Sequence, residues 1–206
     1  MIIAVDGPTA SGKGTIARAL AAHFGLPHLE TGLLYRAVGR QVVLSGGDPD
    51  DVGDAFAACT FADSLLDDPD LRSEEAGGLA SRVSVHPAVR RALYERQRAF
   101  ATQPGGAVLD GRDIGTVIAP EAEVKLFVVA GVTARAERRF REMQAAGRSV
   151  ALCEIAADLE ARDRRDSARA EAPLIAAPDA MLLDTSDLPR DKAIAEAIAL
   201  VNARLT

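Results

Sequence analysis

The chain has 206 residues, 48% of them hydrophobic and 26% charged, which suffices for one real core with a small inserted subdomain and reads as a soluble globular protein. A formal charge of -6 argues against a nucleic-acid polymer as the partner, because that affinity rests on excess Lys and Arg. No apolar run approaches the roughly 20 residues of a membrane span, Met1 leads into IIAVDG without a basic leader, and Cys59 and Cys153 form no CxxC pair, which speaks against export, a disulfide framework or a four-cysteine zinc site and for a reducing cytoplasm.

The first apolar run, residues 2–5 (IIAV), predicts a strand, and a helix follows over 13–24. LPHLE at 26–30 reads as a further short strand. Residues 46–75 carry GGDPDD, DSLLDDPDL and SEEAGG, turn-rich and weakly periodic, as expected of an insertion on a sheet scaffold rather than a second independent domain. A helical pattern over 86–100 then leads to apolar runs at 107–109, 124–129 and 180–183. Each of the four main runs is bounded by Gly, Pro or Asp and is expected to lead into a helix, with 134–146 and 191–204 among them. This alternation predicts an α/β fold, a mostly parallel sheet with helices on both faces. No internal repeat is visible.

Between the first strand and the first helix, Gly7, Gly12 and Lys13 stand in the spacing G-x-x-x-x-G-K. Strand, glycine turn and helix are the context this spacing requires: backbone N–H groups over Gly7, Pro8, Thr9, Ala10, Ser11, Gly12, Lys13, Gly14 and Thr15 can wrap phosphate oxygens, the helix N-terminus adds positive potential, and Lys13 reaches the outer phosphates. Residue 14 is Gly, so the hydroxyl that ordinarily serves magnesium is displaced to Thr15. The form G-x-x-x-x-G-K-G-T resembles the nucleoside monophosphate kinases. A regulatory GTPase would need an N-K-x-D motif, and Asn202 is the only asparagine.

A second polar concentration lies in LDGRDIGTVIAP, residues 109–120, where Asp110, Arg112 and Asp113 follow the strand at once. An Asp113–Arg112 ion pair on an exposed loop would be worth only about 0–1 kcal/mol. A third is a stripe: Leu152, Ile155, Leu159, Arg162, Asp166 and Arg169 step by three and four and share one helical face that begins apolar and turns charged. Such a helix runs from a core into a polar cleft. The alternative is a solvated end with Arg162 and Asp166 paired along the helix, worth only about 0.2–0.5 kcal/mol.

ETGLLYRAVG, LDGRDIGTVIAP and RDRRDSARAEAPL occur in the order and spacing that resemble bacterial cytidylate (CMP) kinases, over most of the chain. The weakest match is 61–71, where family members can carry a longer strand-rich insert, and Thr31 stands where many relatives have Ser. The resemblance implies a P-loop kinase sheet (about 1–35, 104–137 and 170–206) with a nucleotide-monophosphate-binding insertion (about 36–103) and a short lid (about 138–169). It implies a monomer that uses ATP and Mg2+ to phosphorylate CMP and dCMP, with no membrane or nucleic-acid partner.

Cytosine offers an N4 amino donor beside N3 and O2 acceptors, so a carboxylate and a guanidinium can read it against uracil. By the resemblance Asp113 accepts from N4, Ser81 and Arg90 complete base recognition, and Thr31 supplies a hydroxyl contact. Arg162 and Asp166 hold the ribose, while Arg36, Arg112 and Arg169 clamp the acceptor phosphate, Lys13, Arg112 and Arg169 being the catalytic set. Asp110 resembles a Walker-B carboxylate supporting magnesium through water, with Thr15. Of Arg135, Arg138, Arg139 and Arg141, the preferred candidates for closing over ATP are Arg138 and Arg139; a solvated basic helix face is the alternative, as a solvated helix face is for Ser81 and Arg90. Two other classes compete: an adenylate or shikimate kinase of the same fold, and a module that binds nucleotide without transfer.

Overall fold

In chain order the computed structural model, which describes residues 1–145 and 147–205, contains β1 (Ile2–Asp6), α1 (Lys13–Phe24), β2 (His28–Glu30), α2 (Gly32–Leu44), α3 (Val52–Ala57), α4 (Glu74–Val83), α5 (Pro87–Ala101), β3 (Ala107–Gly111), β4 (Val124–Val129), α6 (Val132–Ala145), α7 (Leu152–Ser167), β5 (Met181–Asp184) and α8 (Arg190–Leu205). They divide into two units, Glu30–Phe100 and the remainder of the chain.

In the larger unit the strands form one sheet in the order β2-β3-β1-β4-β5, and the pairings β1–β3, β1–β4 and β4–β5 are parallel. The expected α/β architecture with a parallel sheet is therefore present. Ile3 and Val5 of β1 enter one apolar cluster with Val108, Val124, Leu126, Val128 and Leu183, covered by Ile16, Ala17, Leu20 and Ala21 of α1 and Ala193, Ala197 and Val201 of α8. The two-residue period of a strand then turns Ala4 and Asp6 to the opposite side. Asp110 is the register partner of Val5, so it shares the α1 side.

α1 begins at Gly12, whose φ of 89° is open to glycine, and ends at Gly25, whose N–H bonds back to the carbonyl of Ala21. The predicted 134–146 helix starts two residues early in α6, and its predicted end at residue 146 lies outside the described residues. The last strand runs one residue later than expected, through Asp184. The expectation that every main strand leads into an α-helix fails at β3. A π-helical turn over Ile114–Ile118 follows instead, with Val117 and Ile118 N–H groups both bonding to the Asp113 carbonyl, and Asp6 takes up the otherwise unpartnered first-turn N–H groups of Ile114 and Gly115.

The smaller unit has its own core, in which Leu34, Tyr35, Val38 and Val42 of α2 pack with Val83, Val89 and Leu93. α2 and α4 approach so closely that a Cβ on Gly39 would lie 2.6 Å from the Leu79 Cβ. The turn-rich segment is ordered by local capping. Asp51 accepts from the N–H groups of Gly53 and Asp54 to start α3, Ser73 accepts from Ala76 to start α4, and 3-10 turns occupy Asp63–Asp67 and Pro69–Arg72.

Candidate active site

The phosphate loop leaves β1 through Gly7, which no other residue can replace without a shift of the backbone. A Cβ there would sit 2.1 Å from the Val128 carbonyl oxygen, so β4 closes against the loop. Ala10 holds φ at 61°, and Lys13 folds back to donate to the Pro8 carbonyl at 3.2 Å. Thr185 Oγ1 donates to the Ser11 carbonyl at 2.9 Å and ties the loop to the end of β5.

Two arginines brace Thr9. Arg112 Nη2 donates to Thr9 Oγ1 at 2.6 Å, and Arg135 Nη1 donates to the Thr9 carbonyl at 3.1 Å. Each arginine is also held by an aspartate on α7. Arg112 Nε reaches Asp166 Oδ2 at 2.8 Å, and Arg135 forks onto Asp163 at 3.1 and 2.6 Å while its Nε bonds the Ala130 carbonyl. Planar guanidinium forks suit such shared service.

Asp166 takes a second arginine on its other oxygen, with Arg169 Nη2 at 3.2 Å from Oδ1. Burial raises the Asp166 carboxyl, but the charges of Arg112 and Arg169, the Arg112 hydrogen bond and the charge of Lys13 outweigh it, so the group lies below its ordinary value. The α7 stripe is thus buried at Ile155, Leu159, Arg162 and Asp166, while Leu152 at its start is 39% exposed. Asp166 does not pair along the helix with Arg162, whose Nε lies 2.9 Å from Asp158.

Asp110 and Asp113 diverge. Asp110 Oδ1 meets His28 Nε2 at 2.7 Å, and its Oδ2 lies 3.6 Å from where a Cβ on Gly14 would stand, beside the first turn of α1 that also carries Thr15. Asp113 is buried at the head of the π-helical turn. Asp6, the register partner of Gly111 on β1, accepts from Ile114 N–H at 2.9 Å and Gly115 N–H at 2.8 Å.

Of the preferred lid arginines, Arg138 donates to Thr185 Oγ1 at 3.1 Å and to the carbonyls of Thr185 and Ser186, and Arg139 pairs with Glu142 at 3.0 Å. The smaller unit holds the other candidates. Thr31 is the buried residue preceding α2, Arg36 Nη1 donates to the carbonyls of Leu71 at 2.7 Å and Ser73 at 3.0 Å, and Ser81 is buried on α4. Arg90 is buried on α5, its guanidinium 5.4 Å from the centre of the Tyr35 ring.

The structure therefore brings Arg112, Asp166 and Arg169 together beside the phosphate loop, and engages Arg138 with the end of β5. Asp6, His28 and Asp163 were not among the sequence candidates. A signal existed for Asp6, since alternation along IIAVDG turns it away from the apolar face; none local to the chain points His28 at Asp110.

A sequence profile of the cytidylate kinases matches residues 3–203. The chain is 56% identical over 204 residues to a cytidylate kinase of Xanthobacter autotrophicus, covering 99% of this chain and 98% of that protein, and 55% identical over 202 residues to one of Cereibacter sphaeroides, covering 98% and 95%. Among solved structures, an uncharacterized protein from Eubacterium ventriosum aligns over 98% of both chains with a TM-score of 0.57 at 17% identity, a likeness of fold alone. With matched residues running from one end of the chain to the other at better than half identity, this protein belongs to the cytidylate kinase family.

Proposed function

We propose that the protein transfers the γ-phosphoryl group of ATP to CMP or dCMP, releasing ADP and CDP or dCDP. The observation that carries this reading is Arg112, held between Thr9 of the phosphate loop and Asp166 of α7, which sets an acceptor-side guanidinium beside the donor loop. A phosphate oxygen of CMP attacks the γ-phosphorus as the bond to the β–γ bridging oxygen breaks. The nucleophile is already anionic, so no general base is required. Catalysis is positioning and charge neutralisation, with Lys13 on the donor phosphates and Arg112 and Arg169 on the acceptor phosphate.

Among the described residues no three His, Cys, Asp or Glu side chains cluster as a protein-only metal site. Asp110 with one oxygen on His28, and Thr15 on the first turn of α1, fit a magnesium ion held chiefly by ATP phosphates and water. When bound, that ion supplies further neutralisation of phosphate charge.

Asp113 reads the cytosine N4 amino group, with Ser81 and Arg90 of the smaller unit completing base contacts and Thr31 and Arg36 serving the same nucleotide. Asp166 and Arg162 take the ribose hydroxyls. Residues 138–169 act as the lid that excludes water. Arg135, locked onto Thr9, supports that role more directly than Arg138, which is engaged with Thr185 and Ser186. No helix among the described residues is long and apolar enough to cross a membrane, and Cys59 and Cys153 are free thiols, which suits a reducing cytoplasm.

An ADP-release assay across CMP, dCMP, UMP, AMP and shikimate tests the reading. CMP and dCMP are expected to lead. A profile led by AMP or shikimate overturns it, and ATP binding by calorimetry without CMP-dependent ADP release makes the chain a binding module instead.

A further inference from the structure

We propose that Asp6 is a positioning residue for the acceptor side of the site: by accepting the N–H groups of Ile114 and Gly115 it fixes the turn bearing Arg112 and Asp113 to the strand that carries the phosphate loop. This inference rests on the reading of the chain as a CMP kinase.

The carboxylate spans 108 residues of sequence to Ile114 and 109 to Gly115, at 2.9 and 2.8 Å, using one oxygen for each amide. It is 5% exposed, and both oxygens are thereby given to the backbone. Asp6 thus touches the element that carries substrate-reading groups, not the substrate itself. Its direction follows from strand alternation: Val5 belongs to the α1 side, so Asp6 faces the turn.

A second side chain crowds the turn on the side that Asp6 faces. A Cβ on Gly115 would come within 3.1 Å of Lys125 Cδ and 3.5 Å of Asp6 Oδ2, and Lys125 is itself held by the Pro120 carbonyl at 2.6 Å and Asp179 at 2.9 Å. Against Asp6 and Lys125 together the backbone at Gly115 has little room for a side chain. Two charge-assisted bonds to adjacent amides fix the height and the rotation of a turn together, as a single bond would not.

Holding a carboxylate here is costly. Burial pushes the Asp6 carboxyl from 3.8 up to about 7; the two amide bonds pull it down, Asp113 pushes it up and Lys13 pulls it down, each by less than burial does. A buried group that opposes folding in its ionised form fits the pattern of strain kept at a functional site.

The test is steady-state kinetics of the full chain. Asp6→Asn keeps the shape but turns an NH2 group toward one of the two amides. The expected result is a loss in kcat/KM for CMP of about 10-fold or more, the scale of a charged hydrogen bond, with KM for ATP within about twofold of wild type. Gly115→Ala disturbs the same turn without altering the carboxylate and is expected to show the same split. Equal losses toward ATP and CMP, or no loss, would overturn the positioning role, leaving Asp6 a stability element.

Should neither variant fold, the wild-type protein still decides the contact: the amide proton shifts of Ile114 and Gly115 must titrate in step with the Asp6 carboxyl carbon, and independent titration overturns the proposal. Wild-type enzyme that transfers nothing to CMP sinks the functional reading itself, whereas wild-type turnover of CMP with unsplit kinetics in the variants sinks this inference alone.

Discussion

In the phosphate loop the demand on the chain is steric: Gly7 has no room for a Cβ against the Val128 carbonyl, and Gly12 sits at φ 89°. In the turn after β3 the demand is electrostatic and falls on side chains. Arg112 must be shared between Thr9 and Asp166, Asp110 meets His28, and Asp6 holds the amides beneath Asp113. A loop of the first kind states its requirements in its own residues. A turn of the second kind depends on partners scattered along the chain, and its properties should respond to pH where those of the loop do not.

The largest expected effect separates the two carboxylates that brace this turn. Asp6 titrates near 7 in the folded protein against 3.8 ordinarily, so its contribution to stability is fully present below pH 3.8 and is lost as pH rises through 7. About three pKa units at 1.36 kcal/mol each give an upper limit of about 4 kcal/mol. Asp166 is shifted down, and its contribution is present above pH 3.8 and lost as the solution is acidified through its lower folded value. Denaturant unfolding of wild type and Asp6→Asn across pH 4 to 8 is expected to show the wild type losing stability relative to the variant as pH rises, steadily between about pH 4 and 7 and levelling off above 7. Parallel curves would break the comparison, since Asp6 would then carry no titration that folding alters.

This difference also explains what could be read from the sequence. The phosphate loop, β1 and β4 were legible because their signals are local: glycines at fixed offsets and short apolar runs between breakers. The α7 stripe was legible as a buried face because a helical period of 3.6 brings Ile155, Leu159, Arg162 and Asp166 into register, but the pairing of Asp166 with Arg112 crosses 54 residues and leaves no local trace. For the same reason nothing near His28 in the chain pointed to Asp110, and nothing near Arg138 pointed to its bonds at the end of β5. The π-helical turn after β3 was missed because the partner of its first amide, Asp6, stands 108 residues earlier in the chain.

A smaller effect tests whether the turn, and not the loop, chooses the substrate. If Asp113 reads the cytosine amino group, Asp113→Ala should lower kcat/KM for CMP more than for UMP by about 1.5–3 kcal/mol, a factor of about 10 to 150, because the amino donor loses a charged acceptor. The measurement is a pair of ADP-release titrations at saturating ATP. Equal losses on the two substrates would assign Asp113 to the architecture of the turn.

The smallest expected effect falls on the loop and contrasts with the steric demand at Gly7. Ala10 is a non-glycine residue at φ 61°, where an L side chain costs about 1–2 kcal/mol, so Ala10→Gly relieves backbone strain. Two losses oppose that gain. Glycine adds about 0.4–1 kcal/mol of unfolded-chain entropy, and removing the methyl gives up about 0.8 kcal/mol of apolar burial beside the cluster of Ala136, Ile155 and Leu159. The terms nearly cancel, and the net change in stability should stay within about 1 kcal/mol by thermal unfolding, with KM for ATP unchanged because the amide at position 10 remains in place. A marked rise in KM for ATP would mean that the Ala10 methyl, packed against α6 and α7, holds the loop in its phosphate-binding shape, and that the loop depends on a side chain after all.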